Sequence, residues 1–473
     1  MVEETDVIVI GTGQAGVPLA TRLAAAGRRV VVIERGHPGG TCVNVGCTPT
    51  KTLVASARAA HVVRTAARLG VRVGAVSVDF PAVMARKDAM VERWRAGVEK
   101  RLASQGEHLR LVRGHGRFVG PRQVEVNGDR YEARQILINV GARAAVPAIA
   151  GLGDLDHLDS TRALALSELP SRLLVIGAGY IACELGQVFR RLGAEVALVA
   201  PSARLLPRED EAASEALAGV FGAEGIELHL GTRIREAARV PAPAQPTVTR
   251  RDQLAIELRL GPADAGATLR GSHLLVATGR TPNTADLGCA AGNVTLDAEG
   301  RIVVDERYET SQPGVFAVGD CIPGPQFTHV SWDDHRVLFE ILNGRTARKR
   351  TDRLVPYTIF TDPQVAGVGL TEAAARARGL AIEVATLPWS AIARAIETDE
   401  TAGVVKVVID AKTDRVLGAT LVGADAGELV HVFSVLMQAG GSARAIVDTE
   451  FAHPTFAEGL QTAVMRLPRF ALS

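Results

Sequence analysis

A chain of 473 residues is long enough for roughly three domains of about 150 residues each, which excludes a single small binding module. Its 53 Lys and Arg against 52 Asp and Glu leave a net charge of +1, so nucleic acid meets no global electrostatic attraction. An apolar fraction of 47% is that of a globular protein, and five cysteines in this length exclude a disulfide-stapled secreted scaffold.

The 48 glycines exceed the usual share of about 7%, so the chain needs many tight turns or close backbone approaches. The chain starts with the acidic Glu3, Glu4 and Asp6 rather than a charged and apolar leader, and no apolar run reaches the roughly 18 residues of a membrane span. The expectation is a cytoplasmic protein with neither nucleic acid nor membrane as partner.

The first element, Asp6-Val-Ile-Val-Ile10, is an apolar run too short for a helix and suited to a buried parallel strand. Gly11-Thr-Gly13-Gln-Ala-Gly16 follows at once, then a helical stretch from Val17 to Ala26 and a second strand, Arg29 to Ile33, ending on Glu34. Gly11 permits the tight turn, Gly13 lets a pyrophosphate approach the backbone, and Gly16 lets the helix pack on the strand. The helix amino end offers free N–H groups to the phosphates, and Glu34 can accept from both ribose hydroxyls of an adenosine. Such a glycine pattern is weak alone; the strand before it, the helix after it and the acid beyond give it weight.

The segment Gly39-Gly40-Thr41-Cys42-Val-Asn-Val-Gly-Cys47-Thr-Pro-Thr-Lys51 follows directly. Two cysteines opening a helix just past a nucleotide-binding strand are well placed for redox chemistry. Half of a zinc site is the alternative, but four soft ligands are wanted and the chain has no second cysteine pair. Cys183, Cys289 and Cys321 are scattered and read as buried filler. A helix amino end and a nearby cation such as Lys51 favour a Cys47 thiolate.

Further along, Leu137-Ile-Asn-Val-Gly141-Ala-Arg reads as the strand and turn that close a first domain, with Pro147 and Gly151 in an exit linker. The strand–turn–helix–strand unit then recurs about 165 residues after the first. Leu173 to Ile176 leads into Gly177-Ala-Gly179-Tyr180-Ile-Ala182, a helix from Cys183 to Leu192, and a strand from Glu195 to Val199. Two such units imply two dinucleotide sites. The Pro/Ala-rich piece from Val240 to Thr247 reads as a hairpin tip, and Leu274 to Arg280, with Gly279, closes the second domain as Leu137 to Arg143 closes the first. Asp333-Asp334-His335 reads as a solvated helix turn rather than a metal site. From about Val355, strands at Val404 to Ile409 and Val416 to Val422 alternate with helices, the pattern of a third, α+β domain.

On the Gly39–Lys51 block above all, the chain resembles the class I FAD-dependent pyridine nucleotide-disulfide oxidoreductases over essentially its whole length. This is the family of glutathione reductase, dihydrolipoyl dehydrogenase and mercuric reductase. The resemblance implies an α/β fold with two Rossmann-like domains, FAD- and NAD(P)-binding, followed by a C-terminal α+β dimerisation domain. Residues 1–147 and 274–346 would bind FAD, 148–273 the nicotinamide nucleotide, and 347–473 would dimerise.

By the same resemblance Cys47 is the flavin-proximal thiolate, giving the charge-transfer contact, and Cys42 the interchange thiol that meets the substrate. Lys51 sits near the flavin and pairs with Glu184 of the second unit; a cation there favours a reduced flavin. Thr310-Ser-Gln-Pro-Gly-Val-Phe-Ala-Val-Gly319-Asp320 matches the family's second FAD motif, with Asp320 on the ribityl chain. A helix starting near Thr328 or His329 turns its positive end to the flavin. The FAD set is thus Gly11, Gly13, Gly16, Glu34, Gly40, Thr41, Lys51, Gly141 and Asp320. The nicotinamide-nucleotide set is Gly177, Gly179, Tyr180, Arg204 and Gly279. Tyr180 falls where the family often places an aromatic gate, a helix-start packing residue being the alternative.

In the third domain His453-Pro454, with Glu458 five residues on, resembles the His–Glu base pair that glutathione and dihydrolipoyl reductases supply across a two-fold interface. The resemblance therefore implies a homodimer with shared active sites. The second unit ends its second strand on Val199-Ala200, with Ser202 and Arg204 behind, so the acid an NAD site would carry is missing. That favours the 2′-phosphate of NADPH, with NADH as the alternative.

For the acceptor, Leu205 to Asp210, Ala277 to Asn283 and Phe360 to Val365 look most like mercuric reductases and relatives that handle reactive chlorine species, hypothiocyanous acid or copper ions. A thiolate pair suits soft mercury(II). The chain departs from typical mercuric reductases where Arg469 to Ser473 carries no vicinal cysteine pair and where His453 stands in place of the usual Tyr, and the first strand so near residue 1 gives the expectation of no metal-binding domain ahead of it. Dihydrolipoyl dehydrogenase fits the His–Glu pair but not Ala200, and glutathione reductase lacks its tripeptide-binding arginines here. A flavin redox sensor is the non-enzymatic alternative, and an intact second nucleotide site argues against it.

Overall fold

The computed structural model describes residues 2–241, 254–261 and 266–470. Of the Pro/Ala-rich hairpin tip expected from Val240 to Thr247, residues 242–247 lie outside them, as do the last three residues of the chain. Two compact units emerge. The first joins residues 1–52, 85–145 and 279–353; the second joins 53–84, 146–278 and 354–473.

In the first unit, β1 (Val2–Ile10) has Val7 to Ile10 at no more than 4% exposure, as a strand covered on both faces must. It leads into α1 (Gly16–Ala25) and β2 (Val30–Glu34). The short α2 (Gly40–Val45) and the start of α3 (Cys47–Thr65) follow, then α4 (Phe80–Ala103). The chain continues through β3 (Leu109–Arg113), β4 (Arg117–Gly120), β5 (Gln123–Val126), β6 (Asp129–Ile138) and β7 (Ala142–Ala144).

After the one-turn α5 (Ser160–Ala163), the second unit repeats the opening with β8 (Arg172–Ile176), α6 (Tyr180–Leu192), β9 (Glu195–Val199), α7 (Glu211–Ala223) and β10 (Glu227–His229). A ribbon of β11 (Ile234–Pro241), β12 (Leu254–Leu260) and β13 (Thr268–Gly271) precedes β14 (His273–Val276). The parallel order β10-β9-β8-β14 makes β14 the last strand of this sheet, and the chain returns to the first unit only after residue 278.

There β15 (Arg280–Pro282) pairs with β7, and β16 (Val315–Ala317) adds to β6 before α8 (Thr328–Leu342). The main sheet runs β3-β2-β1-β6-β5-β4, parallel from β3 to β6 and antiparallel at the β5 and β4 edge. Both nucleotide-type turns therefore sit at the carboxyl end of a parallel strand, where open α/β sheets bind ligands.

The last stretch builds an antiparallel sheet, β17-β18-β21-β20-β19, from β17 (Tyr357–Ile359), β18 (Gln364–Gly369), β19 (Ile382–Pro388), β20 (Val404–Asp410) and β21 (Val416–Gly423). Helices α9 (Glu372–Ala377), α10 (Ala393–Glu397), α11 (Ala426–Gln438), α12 (Ala443–Asp448) and α13 (Glu458–Met465) alternate with it. Its core gathers Trp389, Val405, Leu421, Phe433 and Leu460, each fully buried. No helix among the described residues is long and apolar enough to cross a membrane.

Candidate redox and nucleotide-binding site

The first glycine turn is closed by steric necessity. Gly11 has φ +102, and a Cβ there would stand 2.3 Å from the Asn139 carbonyl oxygen. A Cβ on Gly16 would stand 2.1 Å from the Gly11 oxygen. The third support is a residue that sequence reasoning passed over. Asn139, 7% exposed just after β6, accepts from the Gly16 N–H at 2.9 Å through Oδ1 and donates from Nδ2 to the Val318 carbonyl at 3.1 Å. It ties the first glycine motif to the strand end preceding Gly319 and Asp320. A lone amide closing the apolar run Leu137-Ile138 is the only signal the sequence carried for it.

Glu34, at the end of β2, accepts from the Thr12 N–H at 3.0 Å, from the Thr12 hydroxyl, and from the Gly36 N–H at 2.7 Å. Its carboxylate is thereby fixed at the strand end. Gly40 has φ +62 and a Cβ on it would meet the Gly13 Cα at 2.7 Å, so the cysteine segment packs directly on the glycine turn.

Cys42 lies within α2 and Cys47 is the first residue of α3; both are partly exposed free thiols. Asn44 donates to the Pro38 and Gly40 carbonyls at 3.0 Å each and accepts from Arg95 Nε at 2.9 Å, which holds α2 in place. Cys47 Sγ lies 3.0 Å from Thr328 Oγ1, and Thr328 opens α8. The Cys42 thiol is pushed far above the ordinary range, first by its hydrogen bond to Cys47 and then by burial, while Thr328 and Lys51 pull the other way.

Asp320 lies 3.5 Å from Arg280 Nη2, and burial raises its pKa against the lowering effect of that guanidinium. Arg280 also donates to the Ala142 carbonyl at 2.6 Å, and among the described residues its buried Nε finds no partner. Beside it, a Cβ on Gly141 (φ +66) or Gly279 (φ +145) would meet no atom within 4 Å. An orphaned donor, a half-buried carboxylate and open space over two glycines fit a polar cofactor such as FAD.

The expected solvated turn at Asp333-Asp334-His335 is corrected here. Asp334 is 1% and His335 3% exposed, because α8 turns this face inward. Asp334 accepts from the Tyr308 hydroxyl at 2.8 Å, from Arg353 at 2.7 Å and from the Gly319 N–H at 2.8 Å. It positions the turn that carries Asp320. Among the described residues no cluster of His, Cys, Asp or Glu could hold a metal ion.

In the second unit, Gly177 has φ +132 and its Cβ would stand 2.4 Å from the Ala277 carbonyl oxygen, whereas a Cβ on Gly179 would meet nothing within 4 Å. The helix starts at Tyr180, three residues before the expected Cys183, because Gly179 already ends the turn. Ala200 is 2% exposed. Arg204 donates to the Pro207 and Glu209 carbonyls at 3.3 and 3.2 Å, so its guanidinium is engaged within its own loop. Tyr180 donates to Glu209, and its ring stacks on Tyr357 with centroids 6.4 Å apart and planes at 10°. Glu184, 7% exposed, accepts from the Phe360 N–H at 2.8 Å.

His453 Nδ1 lies 2.9 Å from Glu458 Oε2, at the start of α13, with the imidazole side chain 72% exposed. A carboxylate on Nδ1 fixes the ring and leaves its other nitrogen for chemistry outside the chain's own core.

Residues 5–334 match the description "Pyridine nucleotide-disulphide oxidoreductase", and residues 355–464 match the dimerisation domain of the same family. The chain belongs to the pyridine nucleotide-disulphide oxidoreductases. It is 36% identical to dihydrolipoyl dehydrogenase of Thermus scotoductus, covering 99% of this chain and 98% of that protein. It is 35% identical to a mercuric reductase of Bacillus cereus, covering 97% of this chain and 71% of that one. Among solved structures it is similar to the HOCl-induced flavoprotein disulfide reductase RclA from Escherichia coli, with TM-score 0.87, 32% identity, and 98% and 99% of the two chains covered. As a member of this family the protein is a flavoprotein oxidoreductase with FAD and NAD(P)H as cofactors, and its dimerisation domain supports a homodimer.

Proposed function

We propose that the protein is an NADPH-dependent flavoprotein reductase of the mercuric-reductase-like group, which delivers electrons through Cys42 and Cys47 to mercury(II), a related metal ion or a small oxidant. One observation carries this: two thiols hydrogen-bonded to each other, with Cys47 Sγ 3.0 Å from Thr328, on the segment packed onto the first glycine turn. FAD, when bound, supplies two-electron transfer between the nicotinamide and the cysteine pair.

On this reading residues 1–147 and 274–346 bind FAD, 148–273 the nicotinamide nucleotide, and 347–473 dimerise. Gly11, Gly13, Gly16 and the amino end of α1 take the pyrophosphate, Glu34 an adenosine ribose, and Gly40, Thr41, Gly141, Asp320 and Arg280 the remainder of FAD. Lys51 and Glu184 act as the pair implied by the family's pattern. Gly177, Gly179, Gly279, Arg204 and Tyr180 serve the nicotinamide nucleotide, Tyr180 as a movable gate.

Two electrons and one proton open the Cys42–Cys47 disulfide to a Cys42 thiol and a Cys47 thiolate; passing two electrons on to the acceptor releases the proton and closes it again. His453, oriented by Glu458, handles that proton, and its exposure suits service to Cys42 of the partner subunit.

The exposed His–Glu dyad favours a second reading, a protonatable acceptor such as a dihydrolipoyl disulfide, hypothiocyanous acid or another reactive chlorine species. The similarity to RclA, solved also as a Cu(II) complex, adds copper(II) to the candidates. The test is NADPH oxidation by the purified yellow protein with mercury(II) under excess thiol, run beside lipoamide, hypothiocyanous acid and copper(II). Mercury-dependent turnover well above the oxygen background supports the first reading; silence with mercury and brisk turnover of an oxidant or disulfide replaces it with the second. His453→Ala is expected to slow oxidant and disulfide turnover while flavin reduction by NADPH survives, and full turnover would remove the proton-handling role. A kcat/KM with NADH equal to or above that with NADPH would overturn the nucleotide assignment that Ala200 supports.

A further inference from the structure

One face of α6 is bonded along its length to the segment around β17. Tyr180, Glu184, Gln187 and Arg191 follow helical spacing and so share a face. Glu184 holds the Phe360 N–H at 2.8 Å. Gln187 bonds both the N–H and the carbonyl of Asp362, at 2.8 and 2.7 Å. Arg191 reaches the Asp362 carboxylate at 2.5 Å and its carbonyl at 3.1 Å. These three contacts grip backbone or a buried ion pair.

The contact at the helix start differs in kind. Tyr180 stacks on Tyr357 of that segment, and its hydroxyl donates to Glu209. Tyr357 stands near the same carboxylate, and burial first and then the Glu209 charge raise its pKa. Glu209 itself is 6% exposed, in the loop between β9 and α7. Two stacked phenols thus stand at one buried carboxylate, one of them bonded to it, directly after the glycine over which space is open.

We propose that Glu209 and Tyr357 form a latch that positions Tyr180 across the entry of the second nucleotide site, so that they are positioning residues for nucleotide binding. The proposal rests on the reading of Tyr180 as a movable gate. A ring held on a charge-assisted hydrogen bond and a stack must leave both when the nucleotide enters, and the entry-competent state is then a fraction of the whole. Loosening the latch raises that fraction and tightens apparent binding by the same factor. The rest of the face stays gripped by Glu184, Gln187 and Arg191, so α6 itself does not move.

The test measures NADPH Kd by flavin-independent titration and the split between KM and kcat, on the FAD-loaded dimer, for E209Q, Y357F and Y180A. E209Q is expected to lower Kd and KM by about fivefold or more, with a smaller change in kcat. Y357F keeps the stack and removes the hydroxyl near Glu209, and is expected to shift Kd in the same direction by a smaller factor. It carries the test alone should E209Q fail to accumulate as folded protein. Unchanged or weakened NADPH binding in these variants overturns the latch. Y180A separates the two ideas: a lowered Kd there with none in E209Q or Y357F removes the latch and keeps the gate. No effect of Y180A removes the gate and the latch with it.

Discussion

The chain uses one strand–turn–helix design twice, and the two copies differ in how full they are. In the first turn the protein fills its own space. Cβ atoms on Gly11, Gly13 and Gly16 would all stand within 2.6 Å of another atom, and Asn139 and Glu34 bond the turn from both sides. In the second, Gly177 alone is pinned, Gly179 looks onto open space, and Ala182 takes the place of the third glycine at no exposure. Where the first copy ends β2 on a fixed carboxylate, the second runs on into buried Ala200. The lesson is that a shared motif fixes a backbone path, whereas its neighbours decide whether the site is preformed around one resident cofactor or left open for a ligand that comes and goes.

The strongest way to break this contrast is the third glycine of the first turn. Gly16→Ala should destabilise the protein by roughly 4 kcal/mol or more, since a Cβ 2.1 Å from a backbone oxygen leaves nothing to give. Thermal unfolding and FAD content of the purified variant check it. Asn139→Ala comes next: it orphans the Gly16 N–H and takes the amide donor from the Val318 carbonyl, a cost of about 1–3 kcal/mol, with FAD retention falling in parallel.

The thiols sharpen the same contrast. The first copy's cysteines are partly exposed, while Cys183 in the second copy is fully buried and its thiol is pushed up by that burial. Alkylation of the reduced native protein should therefore label Cys42 and Cys47 and spare Cys183, Cys289 and Cys321, as peptide mass spectrometry would read. In Cys47→Ser the largest cause of the high Cys42 pKa is removed. Its alkylation should then begin at lower pH, by about one pH unit or more, and an unchanged profile would contradict the coupling of the two thiols.

Smaller effects are expected in the second copy. Ala200→Glu, which supplies the missing acid, should move the NADH to NADPH preference by about tenfold towards NADH. Gly179→Ala should leave the unfolding temperature almost unchanged, within about 1 kcal/mol of stability, because its Cβ meets nothing, yet it should raise the nucleotide KM. A large loss of stability there would show that the second turn is as full as the first.

Much of the fold was legible because its signals are local. Apolar runs such as Val7 to Ile10, each followed by glycine, mark strand and turn with no knowledge of the rest of the chain. The Gly39–Lys51 block likewise announced redox chemistry, and the start of α8 at Thr328 falls where it was expected. Asn139, Asp334 and Glu209 were not legible, since each takes its role from partners distant in sequence: Val318, Arg353, Tyr180. The burial of Asp334 and His335 was misjudged for the same reason, three polar residues in a row giving no hint that the helix turns two of them inward.

By itself the sequence determined the two strand–turn–helix units, the cysteine pair and the alternating third domain, because backbone sterics and hydrophobic period act over a few residues. The tertiary structure alone decided which glycines face open space, which carboxylates are fixed or buried, and which phenols stand at Glu209. Those properties depend on what packs against a residue, and that is settled only when distant segments meet.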